Sequence, residues 1–223
     1  MIQSRIVKYY AKKDPNIAIK VIPGHFVSTH SHLNNYLDMT TMKTRQNEAE
    51  RIAIAMKDYY NVMGKPIDTI VCIEGCEVIG AFLASELSRA GILSMNAHKT
   101  IYVVTPEFNN NGQMIFRDNL KPEIAGKNVL LLLASATTGK TVRNSIECIQ
   151  YYGGILQGIS SIFSAVDSID GHKLMHCLEP MTFQIMKRIL MMIVLFVKPA
   201  KLWRQLSTVM DTVNYNCIQK DFL

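Results

Sequence analysis

At 223 residues, with 48% hydrophobic and 19% charged positions, the chain can bury the core of one domain and is too apolar for a disordered polymer. Its formal charge of +6 points at first to a polyanionic partner. However, six Lys/Arg against two Asp/Glu place +4 in residues 182–223 and only +2 in 1–181, which suits a small phosphorylated ligand better than nucleic acid. The five cysteines (Cys72, Cys76, Cys148, Cys177, Cys217) are scattered, lack a paired set for zinc, and read as reduced thiols of a cytoplasmic protein. The N-terminus has no apolar h-region of a signal peptide. Ile189 to Val197, nine apolar residues, is too short to span a bilayer, so no membrane partner is expected.

In chain order, Gln46 to Met63 is predicted to be a helix, with Ala49, Ile52, Ala53, Ala55, Met56 and Tyr60 near helical spacing and Gly64-Lys-Pro66 as its stop. Asp68 to Ile73 is a short β-branched strand, Glu74-Gly-Cys-Glu77 a turn, and Val78 to Ala90 a helix. Tyr102 to Thr105 reads as a strand, Glu107 to Gly112 as a polar loop, and Gln113 to Phe116 as a second short strand. The strand Val129 to Leu133, the helix Thr141 to Tyr152 and the strand Ile155 to Phe163 follow. Alternating strands and helices, with several strands almost wholly apolar, imply an α/β fold with a mostly parallel central sheet flanked by helices. Ligands of such sheets bind at the carboxyl ends of the strands. Glu74–Glu77 and Ala136–Thr141 both fall at such ends and pair as one site.

The stretch Asn128-Val-Leu-Leu-Leu-Leu-Ala-Ser-Ala-Thr-Thr-Gly-Lys-Thr141 carries the most chemistry. An apolar strand entering a Thr-Thr-Gly-Lys-Thr turn and then an amphipathic helix gathers free backbone N–H groups and the positive end of a helix dipole, a seat for phosphate. Ala134 to Thr141 also satisfies a relaxed P-loop pattern, in which Lys140 reaches the terminal phosphates and Thr141 holds Mg²⁺. Against that reading, Ala134 replaces the first glycine, and too little chain follows to complete a nucleoside-triphosphatase sheet.

The T-T-G-x-T turn resembles the 5-phosphoribosyl-1-pyrophosphate (PRPP) loop of type I phosphoribosyltransferases. Thr69-Ile-Val-Cys-Ile-Glu-Gly-Cys-Glu-Val-Ile-Gly-Ala81 looks like that family's strand and pyrophosphate loop. Gly24-His-Phe-Val-Ser-Thr-His-Ser-His-Leu-Asn-Asn-Tyr-Leu-Asp38 resembles the start of orotate phosphoribosyltransferases. The resemblance covers about residues 20 to 170 in the correct order, and the polar loop 107–112 lies where the family carries its mobile hood. It implies a domain over 1–180 with a small N-terminal hood (about 1–45), transfer of phosphoribose from PRPP to a pyrimidine-like base, Mg²⁺ carried with PRPP, and a homodimer. By position, Ala136, Thr137, Thr138, Gly139, Lys140 and Thr141 would hold the 5′-phosphate. Glu74, Gly75, Cys76 and Glu77 would hold pyrophosphate, and Phe26 would lie against the base. Glu74 and Glu77 are also readable as turn carboxylates or a helix cap, and Phe26 and Tyr36 as core aromatics. His25, His30 and His32 lack a Cys or Asp partner at ligand spacing, so no metal site is assigned.

The chain departs from the family at identifiable positions. Leu133 and Ala134 stand where the family strand ends in two acids that hold the ribose hydroxyls and position Mg²⁺. The orotate-type Lys falls at Thr29, and the Ser-Gly that follows it at His30-Ser31. These departures keep a second function open, a non-catalytic or regulatory module that binds a phosphoribosyl ligand.

After Pro180 the chain changes character. Residues 181–223 hold five of the thirteen Met and the only Trp, and they lack βα organisation. Read one base back, the codons for Met181 to Ala200 permit a polar, acidic, turn-rich string in which acids are forced at Met181–Thr182, Met186–Lys187, Met191–Met192 and Met192–Ile193. This tail is therefore expected to be out of frame, through an insertion or deletion near residues 175–181. The alternative is a genuine amphipathic or membrane-touching helix.

Overall fold

The computed structural model describes residues 6–11, 14–27, 32–89, 95–97, 100–109, 113–136, 139–164 and 166–177. The expectations for Thr29, His30, Ser31, Thr137, Thr138 and the 181–223 tail lie outside the described residues.

The N-terminal part forms a three-stranded antiparallel sheet of β1 (Val7–Tyr10), β2 (Ala18–Val27) and β3 (His32–Asp38), in that spatial order. Its apolar residues Ile17, Ile19 and Val21 are buried toward the main body. A short helix, α1 (Thr40–Thr44), leads directly into α2 (Gln46–Met63). The predicted bounds of α2 hold because Ala49, Ile52, Ala53, Met56 and Tyr60 recur on one face and are all buried. Left-handed Gly64 then ends the helix.

The central sheet has six strands. Four are β4 (Thr69–Cys72), β5 (Tyr102–Val104), β8 (Asn128–Ala136) and β9 (Ile155–Ser164), and the hairpin β10 (Ser168–Ile169)–β11 (His172–His176) completes it. Its order is β10-β11-β9-β8-β4-β5. Every pairing from β11 to β5 is parallel, and only β10 runs antiparallel, at the edge. Helices α3 (Glu77–Ser88) and α4 (Lys140–Tyr151) connect strands across opposite faces. Each face has its own core. Leu130, Leu132 and Ala134 of β8 pack with α2 and α3, whereas Val129, Leu131 and Leu133 pack with Val142, Ile146 and Ile149 of α4. Each buried leucine contributes about 1.5–3 kcal/mol relative to exposure.

On the α3 face, a Cβ added at Gly80 would lie 2.4 Å from Cys72 Sγ, so the helix rides directly on β4. On α2, Tyr60 is fully buried and shares a 2.6 Å hydrogen bond with the Ser160 hydroxyl of β9, across 100 residues of sequence.

Two sequence expectations need correction. Glu107–Gly112 is not simply a loop, because β6 (Glu107–Phe108) pairs antiparallel with β7 (Met114–Ile115). The Asn109 side chain clasps Gln113, accepting its N–H at 2.9 Å and donating to Oε1 at 2.9 Å, so Asn109 helps close a hairpin. In addition, β8 continues to Ala136, three residues beyond the predicted end at Leu133, because Ser135 and Ala136 still pair with Phe163 and Ser164 of β9.

Candidate functional site

The carboxyl ends of β4 and β8 are neighbours, with Cys72 opposite Leu132 in the parallel register. Strand β4 runs through a turn into α3, and β8 is followed in the chain by α4. After β4, Glu74 and Gly75 take left-handed conformations (φ 58° and 78°), and α3 begins at Glu77. The first α3 ladder bond is Gly80 N–H to Cys76 O at 2.8 Å, so the N–H groups of Glu77, Val78 and Ile79 precede the ladder. After β8, Gly139 is left-handed (φ 77°) and α4 begins at Lys140. Here the first bond is Arg143 N–H to Gly139 O at 2.9 Å, which leaves the N–H groups of Lys140, Thr141 and Val142 ahead of the ladder.

Gly139 is required twice over. A side chain would be strained at its φ, and a Cβ would lie 2.8 Å from Ile169 Cδ1 of the β10–β11 hairpin. That hairpin is also tied to α4 by Asp170, whose carboxylate accepts two hydrogen bonds from Arg143 at 2.8 and 3.0 Å. The Arg143 hydrogen bond holds the Asp170 carboxyl below its ordinary pKa.

The predicted site residues divide by what their side chains can reach. Lys140 and Thr141 are exposed on the first turn of α4. Ala136 belongs to β8 and is buried, so it can offer backbone but no surface. Cys76 is likewise buried. Burial pushes its thiol up to about 12, so it serves the loop through its peptide and not its sulfur. Phe26 packs against Tyr36 in the N-terminal sheet, with ring centroids 5.6 Å apart.

Glu74 and Glu77 are not free turn carboxylates. Glu74 Oε2 accepts the N–H of Ser135 at 3.0 Å, bridging the two strand ends. Glu77 Oε1 accepts the Thr105 hydroxyl at 3.2 Å, just beyond β5. Leu133 and Ala134 have side chains on opposite sheet faces and are both buried, so the end of β8 presents apolar surface to each core. Sequence reading missed Lys43 of α1, whose Nζ donates to Glu74 O at 2.7 Å from 31 residues away. Only the tertiary fold brings it there.

No family model matches the chain. No curated protein matches it in sequence. Among solved structures it is similar to the UMP synthase of Leishmania donovani, with TM-score 0.53 and 15% identity over 75% of this chain, spanning only 35% of the synthase. It is also similar to the orotate phosphoribosyltransferase of Aeropyrum pernix, with TM-score 0.51 and 17% identity over 75% of this chain and 92% of that one. The chain has the type I phosphoribosyltransferase fold. Within that fold, the turn after β4 is tied to the end of β8 by the hydrogen bond from Ser135 N–H to the Glu74 carboxylate. No described helix is long and apolar enough to cross a membrane.

Proposed function

We propose that the chain transfers phosphoribose from PRPP to a pyrimidine-like base, in the manner of an orotate phosphoribosyltransferase. The observation that carries this reading is that α3 and α4 each open behind a left-handed glycine at the carboxyl ends of adjacent parallel strands, with Glu74 hydrogen-bonded to Ser135 of β8. PRPP carries phosphate at one end and diphosphate at the other, and a two-seated edge suits it. The 5′-phosphate would meet the N–H groups at the start of α4, and the diphosphate the loop 74–77.

Holding both ends fixes the anomeric carbon between them, so positioning and charge stabilisation dominate catalysis. As a ring nitrogen of the base gives its electron pair to that carbon, the carbon–oxygen bond to diphosphate breaks, and diphosphate leaves with the bonding electrons. Mg²⁺ enters on this reading as part of the PRPP complex, neutralising diphosphate charge. Leu133 and Ala134 cannot ligate it, since neither carries an oxygen on its side chain. The carboxylates standing at this edge are Glu74 and Glu77, and each already accepts one hydrogen bond. The working protein on this reading is a cytoplasmic homodimer.

Leu133 and Ala134 favour a second reading, a non-catalytic or regulatory module that binds a phosphoribosyl ligand. Buried apolar side chains accept no hydrogen bonds from ribose hydroxyls, so binding would survive better than turnover.

Calorimetric titration of the full chain with PRPP and Mg²⁺, followed by a screen of bases for pyrophosphate release, separates these readings. PRPP binding with release to orotate or another pyrimidine is the expected result. Binding without release to any base would favour the module. Binding of ATP instead of PRPP would overturn both in favour of the P-loop reading.

A further inference from the structure

We propose that Lys43 is the cation that recognises the diphosphate half of the substrate at the 74–77 loop. This role presupposes the PRPP-binding reading above. It also adds a residue from the N-terminal part of the chain to a site otherwise built at the ends of β4 and β8.

Lysines in the last turn of a helix ordinarily face water or their own helix's free carbonyls. Lys43 sits in the last turn of the five-residue α1 but reaches across to another element and donates to Glu74 O at 2.7 Å. That bond uses one of its three N–H groups. Among the described residues its ammonium makes no ion pair with a carboxylate. The nitrogen overhangs Gly75, 3.7 Å from where a Cβ would stand, on the face that glycine leaves open. Its positive charge is felt at Cys76, against the opposing charges of Glu74 and Glu77, and also at Asp38. The ammonium therefore stands over the Glu74–Gly75 turn that leads into α3.

Charge supplies the reason. A diphosphate approaching the loop meets two carboxylates, Glu74 and Glu77, which repel it. The N–H groups at the start of α3 supply hydrogen bonds but only a fractional positive charge. A full cation with two spare donors over Gly75 offsets that repulsion and bonds phosphate oxygens directly. Lys43 simultaneously holds the Glu74 carbonyl, which keeps the left-handed turn in the shape that presents the loop.

A ligand occupying only the α4 seat has no contact with Lys43, so the lysine should discriminate between ligands by whether they carry diphosphate. The test is calorimetric titration of the full chain and of Lys43→Gln, Lys43→Met and Lys43→Arg with three probes: PRPP with Mg²⁺, pyrophosphate with Mg²⁺, and ribose 5-phosphate. Lys43→Gln keeps a donor toward Glu74 O and so guards against collapse of the loop in Lys43→Met. The expected result is a loss of about tenfold or more for PRPP and pyrophosphate with both neutral variants. Ribose 5-phosphate affinity stays within about twofold, and Lys43→Arg recovers most of the PRPP affinity. Unchanged PRPP affinity in Lys43→Gln overturns the role, as does an equal loss for all three probes, which marks a purely structural lysine. If the unaltered chain binds none of the three, the proposed function itself falls and the role of Lys43 falls with it. If it binds PRPP and the variants match it, only the role of Lys43 falls.

Discussion

The loop after β4 and the loop after β8 follow one plan: an apolar strand, a left-handed glycine, then a 12-residue helix whose first N–H groups face the carboxyl edge. Their chemistry differs. The β4 loop carries two carboxylates and borrows a lysine from α1, whereas the β8 loop has no acid and relies on peptide groups. The helices differ as well. Buried Ile79, Gly80, Leu83, Ala84 and Leu87 press α3 into the body. In contrast, α4 buries only one stripe, Val142, Ser145, Ile146 and Ile149, and keeps its remaining faces wet. One backbone device thus stands in two charge settings, one with two carboxylates and a borrowed lysine and one with Lys140 and no acid. On the proposed function, the side chains around each decide which part of the ligand it prefers.

Substitution of Gly139 by Val should have the largest effect. It combines strain at φ 77° with a Cβ 2.8 Å from Ile169 Cδ1, and costs about 2 kcal/mol or more in stability. Affinity for both PRPP and ribose 5-phosphate should fall about 100-fold or beyond detection by calorimetry, a loss that corresponds to about 2.7 kcal/mol. Retained affinity would mean that the β8 loop is not the phosphate seat. Leu133→Ala should cost about 2–5 kcal/mol in denaturant unfolding while leaving ligand affinity of the folded protein nearly intact, because Leu133 faces the α4 core. A parallel loss of affinity would blur the distinction between strand and loop.

Gly75→Ala should have a smaller and selective effect. The left-handed φ of 78° makes any side chain costly by about 1 kcal/mol. PRPP binding should weaken several-fold while ribose 5-phosphate is spared, and equal weakening of both would erase the contrast between the seats. Lys140→Ala should change PRPP affinity by less than about threefold, since backbone N–H groups carry that seat and the side chain is exposed. Near-total loss would restore the nucleoside-triphosphatase reading. The smallest signal is chemical. With Cys76 pushed up to about 12 by burial, its thiolate is scarce at pH 8, and maleimide should leave it unlabelled in the folded protein. Rapid labelling of Cys76 would show that the β4 loop opens.

Elements with a strong local signal were legible in the sequence. Helix α2 combines apolar spacing with a terminal glycine, and its bounds follow from those two cues. The break between β8 and α4 announces itself because Gly139 after Thr137-Thr138 interrupts an apolar run at the start of an amphipathic helix. The end of β8 was not legible, because Ala134-Ser-Ala136 has little preference of its own and is held in the strand by pairing with β9. Nor were α1 and the β10–β11 hairpin. The first is a single five-residue turn, and the second a two-residue strand defined by its partner. Contacts over long separations were the least accessible. Glu74 to Ser135 spans 61 residues and Lys43 to Glu74 spans 31, and no local pattern encodes either. The fate of the two carboxylates was therefore hidden, although their positions in the loop were plain.

The contact at Gly80 has a consequence for the cost of ligand recognition. A helix seated with no Cβ between itself and β4 cannot slide or roll without striking Cys72, so the peptide groups at its start are held where the strand puts them. Little conformational freedom then remains for a bound anion to freeze out. If the loop 74–77 holds diphosphate as proposed, the ordering entropy at this turn is settled during folding, before any ligand arrives, and affinity comes from a few fixed N–H groups without a closing motion of the helix.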